Sequence, residues 1–509
     1  LLAGIGDALQ DMRAQPRHGA LLIALVVVHL LVGADMGLSV DEAHYLLYAQ
    51  HPALSYFDHP PLVGWLQWSL VAIDAPVGVL RVLPCMLWVG TVLVVYRLAN
   101  RLQGHGRFSR AGDAGLWSLL ALALAPLLHV LGLGLVPDTL LMFFAVLIMA
   151  QTWRLMEAEA LGQWRDWLVW GLFLGLAGLS KYTAIFIALA SGVCLLMAHG
   201  LRILRRPWPW VAVMLAIGLV SPVLLWNAQN QWVSFRYQGA HGAGGHWQVQ
   251  EVLRFVLLQV LAFGPLLWWG LIGHGKPAAL RLFFWLPALV LTVLAGGGTS
   301  MPHWTAPAWV ALAPFAGVAL ARFSYSHGDQ RRQRWRSKLL GLLAIVQGAA
   351  CAALLCLMLA GGAPLFPRTL ENTAVGANPF ADLYGWDQAA PRAAALAQTQ
   401  GLSNLSVQNW TLASRLAWYA RPWPVHVLEP RFDQFSLWAG PLPMGASSLL
   451  VDVSLMPFEL PLGAHGFVDC QLLETLDTQH FAQPLARFRF YACHGWAGDP
   501  QPRNKEPGP

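Results

Sequence analysis

Apolar runs of membrane-spanning length recur about eleven times in this 509-residue chain, and no other feature constrains its fold as much. They fall at roughly 19–35, 77–99, 113–131, 137–156, 167–180, 181–200, 209–227, 251–273, 282–297, 303–322 and 339–362. About 18 apolar residues make a spanning candidate. Charged residues are 11% of the chain, against about 25% in a soluble domain. So little charge cannot cover a water-facing surface, so lipid covers most of it. The expected fold class is a polytopic α-helical membrane protein. The first run follows Arg13 and Arg17 and also fits a signal peptide, but the many later spans favour an uncleaved first helix. Leu1 is not an initiator methionine, which suggests that a few residues are missing ahead of it.

The basic residues orient the spans. With the N-terminus inside, the inner loops hold Arg13 and Arg17; Arg97, Arg101, Arg107 and Arg110; Arg154 and Arg165; Arg202, Arg205 and Arg206; Lys276 and Arg281; and Arg322 through Lys338. The outer positions hold only Arg81, Lys181, Arg236 and Arg254. This asymmetry follows the positive-inside rule. It also prefers two helices over one bent helix in the shared apolar stretch at 167–200, because merging them puts later basic loops outside. The net charge of +6 then reflects topology, and RRQRWRSK at 331–338 reads as an inner loop, with no nucleic acid as partner.

Residues 1–362 read as the membrane domain. Beyond about 363 the apolar runs shorten. Segments 425–427, 448–453 and 486–491 read as strands and 411–419 as a helix, giving a small α/β domain over 363–497, outside the membrane on the periplasmic side. The polar, Pro-rich tail at 498–509 reads as disordered. Cys470 and Cys493 have the option of a disulfide in that compartment, though nothing in the sequence brings them together.

Ionisable residues gather at the outer ends of the spans. The first outer loop, 36–76, has no Lys or Arg but carries Asp41 and Glu42 in SVDEAHYLLYAQ, and Asp58 and His59 in YFDHPPL. Segments 41–50 and 61–73 read as amphipathic helices in the interface. Asp138 opens the fourth span in LVPDTLL, Lys181 stands in GLSKYTA, and His303 in MPHWTAP. Arg81 and Arg236 complete the set. Each has a plain alternative. Asp138 suits a helix N-terminus, Arg81 a snorkelling side chain, His303 an interfacial anchor, and Asp41–Glu42 a helix cap. Gly178 and Ser180 leave room for a ligand beside Lys181. Segment 239–245 is either a mobile lid or a plain flexible loop, and a metal held by His241 and His246 is a remote option.

Carboxylates beside cations at a membrane surface suit one chemistry. A carboxylate takes a proton from an acceptor hydroxyl, while Lys or Arg, with or without a divalent metal ion, stabilises a departing lipid phosphate.

The order DEAHY, YFDHPPL, VPDTLL, GLSKYTA and PHWTAPAW resembles the GT-C glycosyltransferases related to protein O-mannosyltransferases and the lipid A aminoarabinose transferase. DLYGWDQ, ASRLAWYA and RFDQFSLW, at 382–388, 413–420 and 431–438, resemble bacterial members of that group. The resemblance implies a GT-C fold and inverting transfer of a sugar from a polyprenyl-phosphate donor. The acceptor is lipid A, a glycan, a lipid or a protein, and the location is a bacterial inner membrane. It makes Asp41 the general base and gives Glu42 a role in acceptor positioning or metal binding. It assigns Lys181, His59, Asp58 and Asp138 to substrate and phosphate, with Asp138 the other metal candidate; Arg81, Arg236 and His303 join that list as ionisable residues at the same outer face. Where the resemblance calls for a lysine the chain has His59, whose phosphate contact depends on protonation. A flippase of lipid-linked sugars, a polysaccharide polymerase or ligase, and an envelope assembly subunit are the rival readings. No internal repeat of the transporter kind is visible.

Overall fold

The computed structural model describes residues 6, 10, 12, 15–104, 113–157, 159–272, 277–325, 330–363, 365–366, 378–455, 466–481 and 483–498. Arg13, Arg107, Arg110, Lys276 and all of the expected tail after Gly498 lie outside the described residues. The chain divides into two compact units. The first comprises Leu1–Ala34 and Pro52–Leu354, the second Asp35–His51 and Leu355–Pro509.

The first unit is helical. Among the described residues of the chain, nine helices are long and apolar enough to cross a membrane. A tenth span forms if Ala114–Ala123 and Pro126–Leu133, bent by 76°, are counted together. Pro126 opens the second half of that pair, where its missing N–H does least harm. The remaining expected span is the helix Trp164–Ser180, of 17 residues. At about 1.5 Å per residue it is about 26 Å long, somewhat short of a hydrocarbon core of about 30 Å. It is separated from the helix Ala184–His199 by Lys181–Thr183, so the shared apolar stretch is two helices.

Burial sorts the helices. The apolar window of Pro302–Ser324 is 94% buried and forms the centre of the bundle, whereas that of Pro207–Gln229 is 17% buried. Large apolar side chains such as Met214 and Leu225 are exposed on the latter. Water would penalise that face, and lipid does not. Helix Trp164–Ser180 packs against Pro207–Gln229 through glycines: a Cβ at Gly171, Gly175 or Gly178 would meet Ala212, Leu219 or Val220 within 2.7 Å. Small residues let helix backbones approach closely in lipid. Gly178 therefore makes room for a neighbouring helix, where the sequence suggested space for a ligand. Ser180, fully buried, donates to the Leu176 carbonyl.

The second unit is built on a five-stranded sheet of order β2-β1-β3-β5-β4. Its strands are β1 Leu405–Val407, β2 Val425–Val427, β3 Ser448–Val453, β4 Phe467–His480 and β5 Gln483–Trp496. β1 pairs in parallel with β2 and β3, while β5 pairs antiparallel with β3 and β4. All six residues of β3 are buried, as a central strand requires. Helix Trp386–Thr399 packs on the sheet, its Trp386 ring edge-on to Phe488 at 5.0 Å. Cys470 and Cys493 are direct partners of the β4–β5 pair and form a disulfide. The bond closes a segment with a sequence separation of 23. Cys470→Ser with Cys493→Ser is expected to lower the unfolding free energy of this unit by about 3 kcal/mol. Chemical denaturation followed by tryptophan emission would measure it.

Both expected short helices form, as Val40–Gln50 and Leu62–Ala72. The second exposes Leu66 and Trp68, in keeping with an interfacial helix. The first differs from that expectation. Glu42 through Ala49 are all buried within the second unit. The His44 Nδ1 lies 3.2 Å from the Ser414 hydroxyl, and its ring meets Trp410 at 5.2 Å and Trp438 at 5.9 Å. Gly37 allows the chain to enter, because a Cβ there would lie 1.8 Å from the Leu383 carbonyl oxygen. DEAHY, DLYGWDQ, ASRLAWYA and RFDQFSLW thus converge in one core. Arg415 adds to it, fully buried, ion-paired with Asp382 and 4.9 Å from the Trp386 ring.

Candidate active site

In the second unit, Ser39 caps helix Val40–Gln50. Its hydroxyl accepts from the Glu42 N–H at 3.3 Å, and the Glu42 carboxylate accepts from the Ser39 N–H at 3.1 Å and hydroxyl at 3.0 Å. This is a reciprocal capping box. Glu42 is buried, and its carboxylate serves the cap. Asp41, one residue earlier, is exposed in the first turn. The two acidic neighbours therefore have different surroundings. Glu42→Gln keeps the box and is expected to hold turnover within about threefold of wild type, whereas Glu42→Ala lowers stability by about 1 kcal/mol. Melting curves and turnover of the two variants check this.

In the first unit, the helix break after Ser180 leaves Lys181 extended, with φ −157° and ψ 143°. Its Nζ donates to both Asp138 oxygens, at 2.7 and 2.6 Å. Asp138 is the second residue of helix Pro137–Met156, behind Pro137. Both side chains are about 95% buried. His303 Nε2 lies 3.8 Å from Asp138 Oδ2, and His59 is close enough to act on the same carboxylate electrostatically. This meeting requires the starts of the helices after 136 and 305 and the end of the helix before Lys181 to share one face. An ammonium has three N–H donors, and Asp138 engages two.

An aromatic wall follows. Lys181 Nζ stands 5.9 Å from the Trp304 ring. Trp304 meets His241 at 5.5 Å, His241 stacks on Tyr237 at 5.3 Å, and Tyr237 meets Phe57 at 4.5 Å. The wall is held by helix Val233–Ala243, whose Ser234 hydroxyl donates to the Tyr56 carbonyl at 2.9 Å and whose Gln238 donates to the Asp58 carbonyl at 2.6 Å. Arg236 is exposed on that helix. Segment 239–245, read as loop or lid, is helical to Ala243 and then pinned by the Gly245 N–H to the Gly297 carbonyl at 2.9 Å. Arg81 precedes the helix Val82–Gln103. It is buried, and its guanidinium donates to the Gly33 carbonyl at 2.8 Å, closing a helix end.

Some residues of this site escaped the sequence reading. The Tyr182 hydroxyl lies among Ser55, Asn227 and Ser234. Gln259 accepts from Trp309 at 2.8 Å and from the Thr305 hydroxyl, and donates to the Pro302 carbonyl at 3.3 Å, which fixes the turn carrying His303. A polar residue following Lys181 directly was the available signal for Tyr182. Gln259, inside an apolar run, gave none beyond its rarity there.

A divalent ion takes several oxygen ligands. Among the described residues no group of three or more His, Cys, Asp or Glu is arranged to hold a metal ion. Lys181 occupies both Asp138 oxygens, and Ser39 donates twice to one Glu42 oxygen. No step below runs through an ion. Turnover is expected to change less than about twofold with EDTA, since removing an ion that carries charge stabilisation costs far more.

Residues 58–226 match the family described as dolichyl-phosphate-mannose-protein mannosyltransferase. The match takes in Asp58, His59, Arg81, Asp138 and Lys181, but begins after Asp41 and Glu42 and ends before Arg236 and His303. The chain is 23% identical over 314 residues to the lipid A galacturonosyltransferase RgtD of Rhizobium johnstonii, covering 58% of this chain and 64% of that one. The match thus spans less than two thirds of the relative's length. ArnT from Cupriavidus metallidurans has a similar structure. The apo form aligns over 93% of this chain and 98% of its own, with TM-score 0.57 and 18% identity. The form bound to undecaprenyl phosphate aligns over 92% and 97%, with TM-score 0.59 and 17% identity. At such identities the likeness carries the fold.

Proposed function

We propose that this chain, a multi-pass membrane protein of the GT-C superfamily, is an inverting glycosyltransferase that moves a sugar from a polyprenyl phosphate to an acceptor at the periplasmic membrane face. The observation that carries the proposal is the buried Asp138–Lys181 pair with His303 and His59 beside it, at the ends of membrane helices. Groups this costly to bury in lipid are kept for a ligand path. The distribution of Lys and Arg supports the orientation, and the Cys470–Cys493 disulfide fits an oxidising compartment.

In the reaction, Asp41 accepts the proton of the acceptor hydroxyl. The oxygen attacks the anomeric carbon on the face opposite the phosphate, and the carbon–oxygen bond to phosphate breaks with its electron pair leaving on the lipid phosphate. Lys181 offers its third N–H to that developing charge, with Asp138 holding the ammonium in place. His59 and His303 supply further donors.

The lipid A galacturonosyltransferase relative makes lipid A the first acceptor and galacturonate the first sugar to test. The purified protein is expected to release undecaprenyl phosphate from at least one member of a panel of undecaprenyl-phosphate sugars carrying galacturonate, hexose, pentose or aminosugar, with lipid A present. No turnover with any donor, together with donor flipping in proteoliposomes, supports a transporter and ends this reading.

A further inference from the structure

The second unit contains a cavity that the proposed chemistry does not use. It has a volume of ≈ 180 Å³ and lies between the end of helix Val40–Gln50, the turn after helix Trp410–Tyr419 and the short helix Gln434–Trp438. A drug-sized site measures about 300–1,000 Å³, so this cavity has the scale of one small ring.

Its lining is mixed. Trp423, Phe435 and Trp438 supply flat apolar faces, and Gln50, His51 and Arg421 supply polar groups. The Arg421 guanidinium lies 3.6 Å from the centre of the Trp418 ring. A stacked guanidinium keeps its charge and its planar fork of donors, which suits a carboxylate or phosphate. His51 lies against Trp438 at 5.0 Å. Burial lowers His51 below its ordinary value of 6.5, so near neutral pH it is a neutral ring and Arg421 is the fixed charge. Gln50 Oε1 is buried and accepts no hydrogen bond from the described residues. A buried acceptor left unpaired is costly, and a rotation of the Gln50 side chain, which lines the cavity, would bring it to a ligand hydroxyl.

Ring faces for C–H surfaces, an acceptor for a hydroxyl and one arginine fork describe a single sugar ring bearing a negative charge. We propose that this cavity binds an anionic pyranose of the acceptor glycan. The idea rests on the transferase reading above for the word acceptor, but not for the binding itself. The cavity is at the last turn of the helix that carries Asp41 in its first. Nine residues separate Asp41 from Gln50, which is about 14 Å along the axis, the reach of a short oligosaccharide. A ring held here would anchor the acceptor while another of its sugars meets Asp41.

The test uses the full-length protein in detergent, with glucose 6-phosphate, galacturonate and glucose as probes and saturation-transfer NMR as the readout. Both anionic sugars are expected to bind at least about tenfold more tightly than glucose, the effect of one charge-assisted contact of about 1.4 kcal/mol. A preference for phosphate or for carboxylate would name the substituent. Arg421→Gln is expected to remove the anionic preference and Trp438→Ala to weaken all three probes. If Arg421→Gln fails to fold, Arg421→Lys keeps the charge without the fork and is expected to lose most of the preference. Equal binding of glucose and the anionic sugars, or unchanged preference in a folded Arg421 variant, overturns the proposal. Where wild type turns over, Arg421→Gln is expected to raise the acceptor KM and leave kcat, and an unchanged KM also overturns it. Absence of wild-type turnover with intact sugar binding would remove the transferase reading and leave the sugar site standing.

Discussion

Asp41→Asn is expected to lower kcat for undecaprenyl phosphate release by about 10²–10⁴-fold, the contribution of a positioned general base. Asparagine has the same shape and leaves the Ser39–Glu42 box intact, so the helix keeps its start. The lost charge at the helix N-terminus costs only about 0.3–1 kcal/mol. Because proton transfer belongs to the transition state, kcat falls while KM for donor and acceptor stays near wild type. Undecaprenyl phosphate binding, measured separately, stays unchanged. Wild-type turnover in Asp41→Asn sinks the assignment of Asp41 as base, whatever the fold.

Lys181→Met is expected to lower kcat by about 10²–10³-fold, the usual loss when one donor to a developing oxyanion is removed. It also strips Asp138 of its partner in a nearly dry site, which destabilises by about 3–5 kcal/mol. The two losses separate in a second variant. Lys181→Met with Asp138→Asn leaves no buried charge, so most of the stability returns while turnover stays low. Thermal unfolding in detergent and donor turnover, run on the two variants together, read each effect. Recovery of turnover in the double variant would make the pair a structural ion pair and remove Lys181 from the phosphate.

Much of this was legible from patterns that act over short distances. The helix break at Lys181, the cap at Ser39 and the strands 425–427 and 448–453 follow from local residue chemistry, whereas the bend at Pro126 falls inside a run read as one span. The placement of Asp138, Lys181 and His303 at span ends followed from the apolar runs. Other features depend on partners far away in the chain. Gly178 looked like ligand space, since sequence does not show which helix fills it. Strand β4 is an edge strand with many exposed residues, so its alternation is weak. The amphipathic reading of 41–50 failed at burial, because its covering surface comes from residues near 410 and 438. Arg81 was grouped with substrate on charge alone, and its bond to the Gly33 carbonyl, 48 positions away, is one that sequence does not show.

The mounting of Asp41 carries a consequence for biogenesis. His44 and Ser414, which meet in its scaffold, are 370 positions apart. The helix bearing the proposed base emerges from the ribosome early, and the surface that buries its other residues emerges only after all the membrane helices. Closing so long a loop is slow and comes late. Until then the aspartate has no rigid seat, whatever the state of the lysine site. A partially made or clipped chain would carry the helix of Asp41 without the core that holds it. Any activity that depends on Asp41 would then wait for the completion of translation.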